Sequence, residues 1–294
     1  MKEYSVNQMG IIAAEILETA TSGNVIGTTS KGVFIRIDDR ILFLTSADYH
    51  SPFNLMITDA DHHLSELQPG DLVVFRKGEL YIPDARITIH LSPAVVWTPT
   101  APAPIKTSIT DQFELAEQYI DILRRKDPEK GFLFLANKST NPSRSSIELE
   151  TVNSVQSLLE GFQNEDLDQF MAGVRVLLGR GGGLTPSGDD LVTGFFLYHI
   201  RYGQAASEER RIVTEWLSKV TQLAYERTTT ISANRLEAAR RGWSEELFLK
   251  IIDALFDPAI ILDGKFFERL INFGHSSGVD TFMGIYFAVK GLLK

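Results

Sequence analysis

Between Asn24 and Trp97 the apolar residues fall in short runs rich in β-branched and aromatic types, broken by turn residues. The runs are Val33–Ile37, Ile41–Leu44, Leu55–Ile57, Leu72–Phe75, Leu80–Ile82 and Ile87–Ile89. Such segments, with Asp38-Asp39, Gln68-Pro69-Gly70-Asp71 and Lys77-Gly78 between them, predict strands. Their even spacing predicts a small antiparallel β-barrel or sandwich, preceded by a helix over Met9–Thr19.

After Trp97 the pattern changes. Thr98-Pro99-Thr100-Ala101-Pro102-Ala103-Pro104 can continue neither sheet nor helix and reads as a semi-rigid linker. Beyond it apolar residues recur at the helical period, over Phe113–Leu123, Ile147–Phe162, Leu167–Leu178, Leu191–Tyr202, Ile212–Tyr225 and Ile231–Ala239. Ser244–Leu255, Lys265–Phe273 and Thr281–Leu293 supply further helices, while Gly131–Leu135 fits either a lone strand or a buried turn. The expected class is α+β: a β-rich domain over residues 1–100, then a mainly helical domain over residues 109–294.

The polar residues concentrate their unusual chemistry in three places. Leu178-Gly179-Arg180-Gly181-Gly182-Gly183-Leu184-Thr185-Pro186-Ser187-Gly188-Asp189-Asp190 lies between two helical segments. Glycines at this density are entropically costly, and they fit a backbone that needs positive φ or must approach a ligand closely. Ser187 stands three residues before Asp190, the spacing of a capping box, so a structural cap and a ligand-binding role both remain open there.

Ninety residues later the pattern returns. Ser187-Gly188-Asp189-Asp190-Leu191-Val192-Thr193-Gly194 is echoed by Ser277-Gly278-Val279-Asp280-Thr281-Phe282-Met283-Gly284. Each copy starts a hydrophobic helix, so two helix N-termini of like chemistry could face one shared anion; a duplicated cap would leave the same trace. His275 and Ser276 precede the second copy, and a histidine there suits proton transfer or anion binding, although a loop histidine is more often a plain surface residue. The third cluster, Arg227-Thr228-Thr229-Thr230-Ile231-Ser232-Ala233-Asn234-Arg235, is either a set of helix caps or an anion clamp.

Composition narrows the chemistry. The 294 residues are 44% hydrophobic and 23% charged, ordinary for a folded protein. A formal charge of -9 without a basic stripe argues against nucleic acid, and no apolar run approaches a membrane span. The absence of cysteine removes disulfides, thiolate metal sites and a cysteine nucleophile, and fits a reducing cytoplasm. The glycine loop lacks the Lys-Ser/Thr of a Walker loop and the preceding strand of a dinucleotide fingerprint. His62-His63 lack metal-ligand partners at helical spacing, and Asp59 and Asp61 read as turn residues, so no zinc site is expected.

Together the three blocks, Gly181 to Asp190, then Thr228-Thr229 with Ile231-Ser232-Ala233, then Gly274-His275-Ser276-Ser277-Gly278 with Asp280, resemble the bacterial AllH-type family. The resemblance covers the helical half. It implies a subunit of an oxamate carbamoyltransferase, exchanging oxalurate plus phosphate with oxamate plus carbamoyl phosphate alongside other enzyme subunits. The alternative is a module that binds an anionic metabolite without catalysis of its own. On the first reading Arg180, Gly181, Gly182, Gly183, Thr185, Ser187, Gly188 and Asp189 bind phosphate and a small carboxylate, joined by Thr228, Thr229, Ser232, Asn234, Ser276, Ser277 and Gly278. His275 carries a proton. Asp190 and Asp280, counted with His275 as catalytic, orient the loops or hold a divalent cation; no cofactor is required by this set, and no metal ligands are assigned.

Overall fold

The computed structural model describes residues 2–57, 64, 66–92, 94–137, 145–207 and 211–293. Asp59, Asp61, His62 and His63 lie outside them, with the expectations placed there. The chain divides into two compact units, Met1–Thr100 and Ala101–Lys294.

The first unit is a closed barrel. Its strands are β1 (Lys2–Gly10), β2 (Ser22–Thr29), β3 (Gly32–Ile37), β4 (Arg40–Thr45), β5 (Asn54–Ile57), β6 (Leu72–Arg76), β7 (Glu79–Ile82), β8 (Ile87–His90) and β9 (Val95–Trp97), with the short helix α1 (Ile11–Leu17) after β1. The hydrogen-bonded order β5-β4-β3-β2-β6-β7-β8-β1 closes through a β1–β5 pairing, and β9 extends the ladder along the end of β1. Alternation places Val33, Ile35 and Ile37 of β3 and Leu80 and Ile82 of β7 in the core.

The barrel is mixed, which corrects the antiparallel expectation. β4–β5, β1–β8 and β1–β9 are parallel pairs. The stretch between Thr45 and Asn54 crosses back instead of turning tightly, so β5 runs alongside β4 in the same direction. The N-terminal strand closes the ring between β5 and β8, a long-range pairing that local turn residues do not announce.

The second unit is helical: α2 (Ile109–Lys126), a 3-10 helix (Gly131–Ala136), α3 (Ser146–Gln163), α4 (Leu167–Leu177), α5 (Ser187–Ala206), α6 (Arg211–Arg227), α7 (Thr230–Ala239), α8 (Glu246–Phe256), α9 (Gly264–Ile271) and α10 (Ser277–Gly291). The ambiguous Gly131–Leu135 segment is thus a helical turn, with Phe132 and Leu133 buried. No helix among the described residues is long and apolar enough to cross a membrane.

α5 and α10 form the centre. Both are buried nearly all round, and α5 takes Asp189, Asp190, His199 and Arg201 inside with its apolar residues. They run side by side with both N-termini at one end, and glycine permits the approach. A methyl group on Gly194 would overlap the carbonyl oxygen of Thr281, and one on Gly284 would overlap that of Leu191. These two contacts are equivalent under the sequence repeat, since Leu191 corresponds to Thr281 and Gly194 to Gly284. The repeat therefore folds as a local pseudo-two-fold pair.

Candidate functional site

Most helices of the second unit begin under a side-chain cap. Ser108 with Asp111 on α2 and Ser145 with Glu148 on α3 form complete capping boxes, and Asp166, Thr229 and Asp263 cap α4, α7 and α9. α5, α8 and α10 start without a side-chain cap, with Pro186, Glu245 and Ser276 at their cap positions. The capping-box reading of Ser187 and Asp190 fails for a geometric reason. Ser187 is already the first helical residue, so its hydroxyl cannot reach back over the first turn, and Asp190 turns toward α7 instead.

The polar side chains of the two starts meet each other. Thr185 Oγ1 lies 2.8 Å from Ser277 Oγ, and Ser187 Oγ lies 3.3 Å from Ser276 Oγ. Across the pair, the Ser277 hydroxyl favours the ionised form of Asp190, and the Ser187 hydroxyl does so for Asp280. Asp280 is served first by Ser276 of its own turn and then by Ser187 across the pair, so each aspartate has a serine of the other repeat beside it.

Beneath this junction is a buried charge cluster. Asp190 Oδ1 accepts from Arg235 Nη1, and Arg235 also faces Glu245, with Nε to Oε1 at 3.3 Å. The guanidinium lies 5.7 Å from the Phe248 ring centroid, and Ser244 Oγ donates to Glu245 Oε2 at 2.7 Å. Burial pushes the Asp190 carboxyl up to about 7; Arg235 opposes the rise and the neighbouring Asp280 adds to it. Burial also raises Asp280, against the Ser276 and Ser187 hydroxyls, the Phe132 amide and His275. Desolvation alone would lower Arg235, but Glu245 and Asp190 outweigh it and hold the guanidinium protonated.

Asp280 Oδ1 accepts from the Phe132 amide at 2.7 Å, which ties the 3-10 helix to the start of α10. Asp190 Oδ2 and Asp280 Oδ2 are buried without a hydrogen bond; the serine hydroxyls come near enough to favour ionisation, yet neither completes a bond to these oxygens.

Asp189 has a different part. Its two oxygens accept from the Gly179 amide, at 2.7 Å, and from the Thr228 hydroxyl, so it fastens both ends of the glycine loop to α7. Burial raises its pKa, and the Thr228, Gly179 and Ser232 hydrogen bonds and Arg235 counter this. Thr229 Oγ1 donates to the Leu184 carbonyl at 2.7 Å and accepts from the Ser232 amide, serving the loop and the cap of α7 at once.

Gly181, Gly182 and Gly183 stand exposed above the junction. Gly181 and Gly183 hold φ at +115° and +87°, where a side chain would be strained. Gly188 and Gly278 press against the carbonyls of Leu177 and Leu270 at the ends of α4 and α9. His275 is exposed at the rim.

Two residues expected to bind substrate point elsewhere. Arg180 is drawn to Glu150 and to the Val176 and Ile147 carbonyls, and Asn234 Nδ2 donates to the Thr230 carbonyl of its own helix at 2.9 Å. Conversely, Arg235 is more central than its place at the end of the third cluster suggests, and Glu245 carried no signal of its own. The available clue was Arg235 itself, set among Ile231, Ala233, Leu236 and Ala239 on a small-residue helix that could only be buried.

Residues 177–289 match the family model described as oxamate carbamoyltransferase subunit AllH, which supports the AllH-type resemblance over that stretch. The match spans both repeats and the Thr228–Arg235 cluster between them. No solved structure matches the chain.

Proposed function

We propose that this AllH-type chain serves as a subunit of an oxamate carbamoyltransferase-like enzyme, with phosphate and a small ureido carboxylate meeting where the two turns converge. The observation that carries the reading is the contact of Thr185 and Ser187 with Ser277 and Ser276, which joins two helix starts lacking side-chain caps. The Gly188 and Gly278 amides are taken by the Arg180 and Phe273 carbonyls, so what the two starts offer an anion together is their positive dipole ends and the hydroxyls gathered there.

The reaction needs a site for phosphate, donors for the charge that develops on the carbonyl oxygen, and a proton carrier. On this reading the amides of Gly181 to Gly183, with Thr185, Ser187 and Ser277, hold the two anions. Asp189, Thr228, Thr229 and Ser232 position the loop. A phosphate oxygen adds to the ureido carbonyl of oxalurate, and the bond from that carbon to the nitrogen of oxamate then breaks. The phosphate's proton passes through His275 to the departing nitrogen, giving oxamate and carbamoyl phosphate.

The test combines the purified chain with its partner subunits and follows carbamoyl phosphate formed from oxalurate and phosphate. His275→Ala is expected to lower kcat by about 10²- to 10⁴-fold, the usual contribution of a proton carrier, without changing the melting temperature of a protein in which that side chain is exposed. Full turnover in the variant would remove His275 from the mechanism. Phosphate binding with no carbamoyl phosphate from the assembled subunits would refute the transferase reading.

A further inference from the structure

We infer that Asp190 and Asp280 are paired carboxylate ligands for one hard divalent cation, of the Mg2+ or Mn2+ class, seated between the converged starts of α5 and α10. Each carboxylate commits one oxygen to the protein: Asp190 Oδ1 to Arg235, and Asp280 Oδ1 to the Phe132 amide. The second oxygen of each is buried with no hydrogen bond, although both residues are fully enclosed. Buried carboxylate oxygens are rarely left in that condition, and a bound cation is one standard resolution.

Charge points the same way. The buried carboxylates Asp189, Asp190, Asp280 and Glu245 lie around Arg235, with the exposed His275 beside Asp280, so full ionisation leaves an excess of negative charge. A divalent ion offsets that excess.

The donor set selects the class. Carboxylates and the hydroxyls of Thr185, Ser187, Ser276 and Ser277 are hard oxygen donors, and cysteine is absent from the chain. Among the described residues no group of three or more His, Cys, Asp or Glu converges, so the protein offers no complete cage. Two carboxylates plus retained waters is instead the habit of Mg2+, which commonly completes its shell with substrate phosphate. Only that last point, phosphate as a further ligand, rests on the proposed function.

The test titrates the full chain, stripped with chelator, with Mn2+ in phosphate-free buffer, reading free Mn2+ by electron paramagnetic resonance and stability by thermal melting. One Mn2+ per chain is expected, displaced by Mg2+ and raising the melting temperature. Asp280→Asn leaves the Arg235–Asp190 pair in place and is expected to weaken Mn2+ by at least about tenfold. If that variant does not fold, Asp190→Asn is read in the same way. Absence of saturable uptake up to about 1 mM, or uptake unchanged in these variants, would overturn the inference. Phosphate bound equally well with and without chelator would remove phosphate from the cation's shell while leaving the proposed function intact. Mn2+ held at this site by a chain that takes up no phosphate would refute the proposed function and leave the cation site standing.

Discussion

Arg235 brings one positive charge into the space between Asp190 and Glu245, and its own helix gives it no route to water. Removing it leaves two buried carboxylates uncompensated, the costly way to break an internal ion pair. Arg235→Met is therefore expected to lower unfolding free energy by about 3–5 kcal/mol in urea titration. A change within error would mean that the cluster is hydrated or protonated and needs no guanidinium. Local spacing exposed Ser187 and Asp190 at once and left a cap and a ligand-binding role both open; the structure removes the cap. Three residues along one chain is the signature of a cap, and nothing local reveals that each serine faces the aspartate of the other copy. Arg180 and Asn234 stood in the right segments, yet they turn to Glu150 and Thr230, because the direction of a side chain depends on packing that spacing does not encode.

At the scale of elements, the shared site depends on α5 and α10 touching through Gly194 and Gly284. The repeat that contains both glycines was visible in the sequence, and hydrophobic periodicity located both helices. That they pack on each other was not visible, because a helix buried all round shows no preferred face. Gly194→Ala and Gly284→Ala each force a methyl into a backbone carbonyl of the other helix. Each should cost about 1–3 kcal/mol by chemical denaturation, and each should weaken phosphate because the two helix starts move apart. Stability unchanged in both variants would show that the helices do not approach this closely. The capping boxes of α2 and α3 make the contrast: Ser108 with Asp111 and Ser145 with Glu148 are complete, whereas α5 and α10, like α8, start without a side-chain cap, and what marks α5 and α10 out is that their starts touch.

For the molecule as a whole, the change of period near the proline-rich segment located the passage from strands to helices, and β3 to β8 follow the apolar runs closely. β1, β2 and β9 did not stand out, since Lys2–Gly10 and Ser22–Thr29 alternate polar with small residues and carry little apolar signal. The parallel pairings that close the barrel join strands far apart in sequence, where turn chemistry says nothing. The helical unit was easier to read because its contacts are written into helix-length patterns and one internal repeat.

The most direct measurement is isothermal titration of phosphate, in buffer containing Mg2+, against the full chain and against Ser187→Ala, Ser277→Ala and the double variant. One phosphate per chain is predicted, with each single substitution weakening it and the double variant departing from additivity, as expected of residues that touch one guest. Two independent phosphates, or a substitution on either turn without effect, would contradict a shared site.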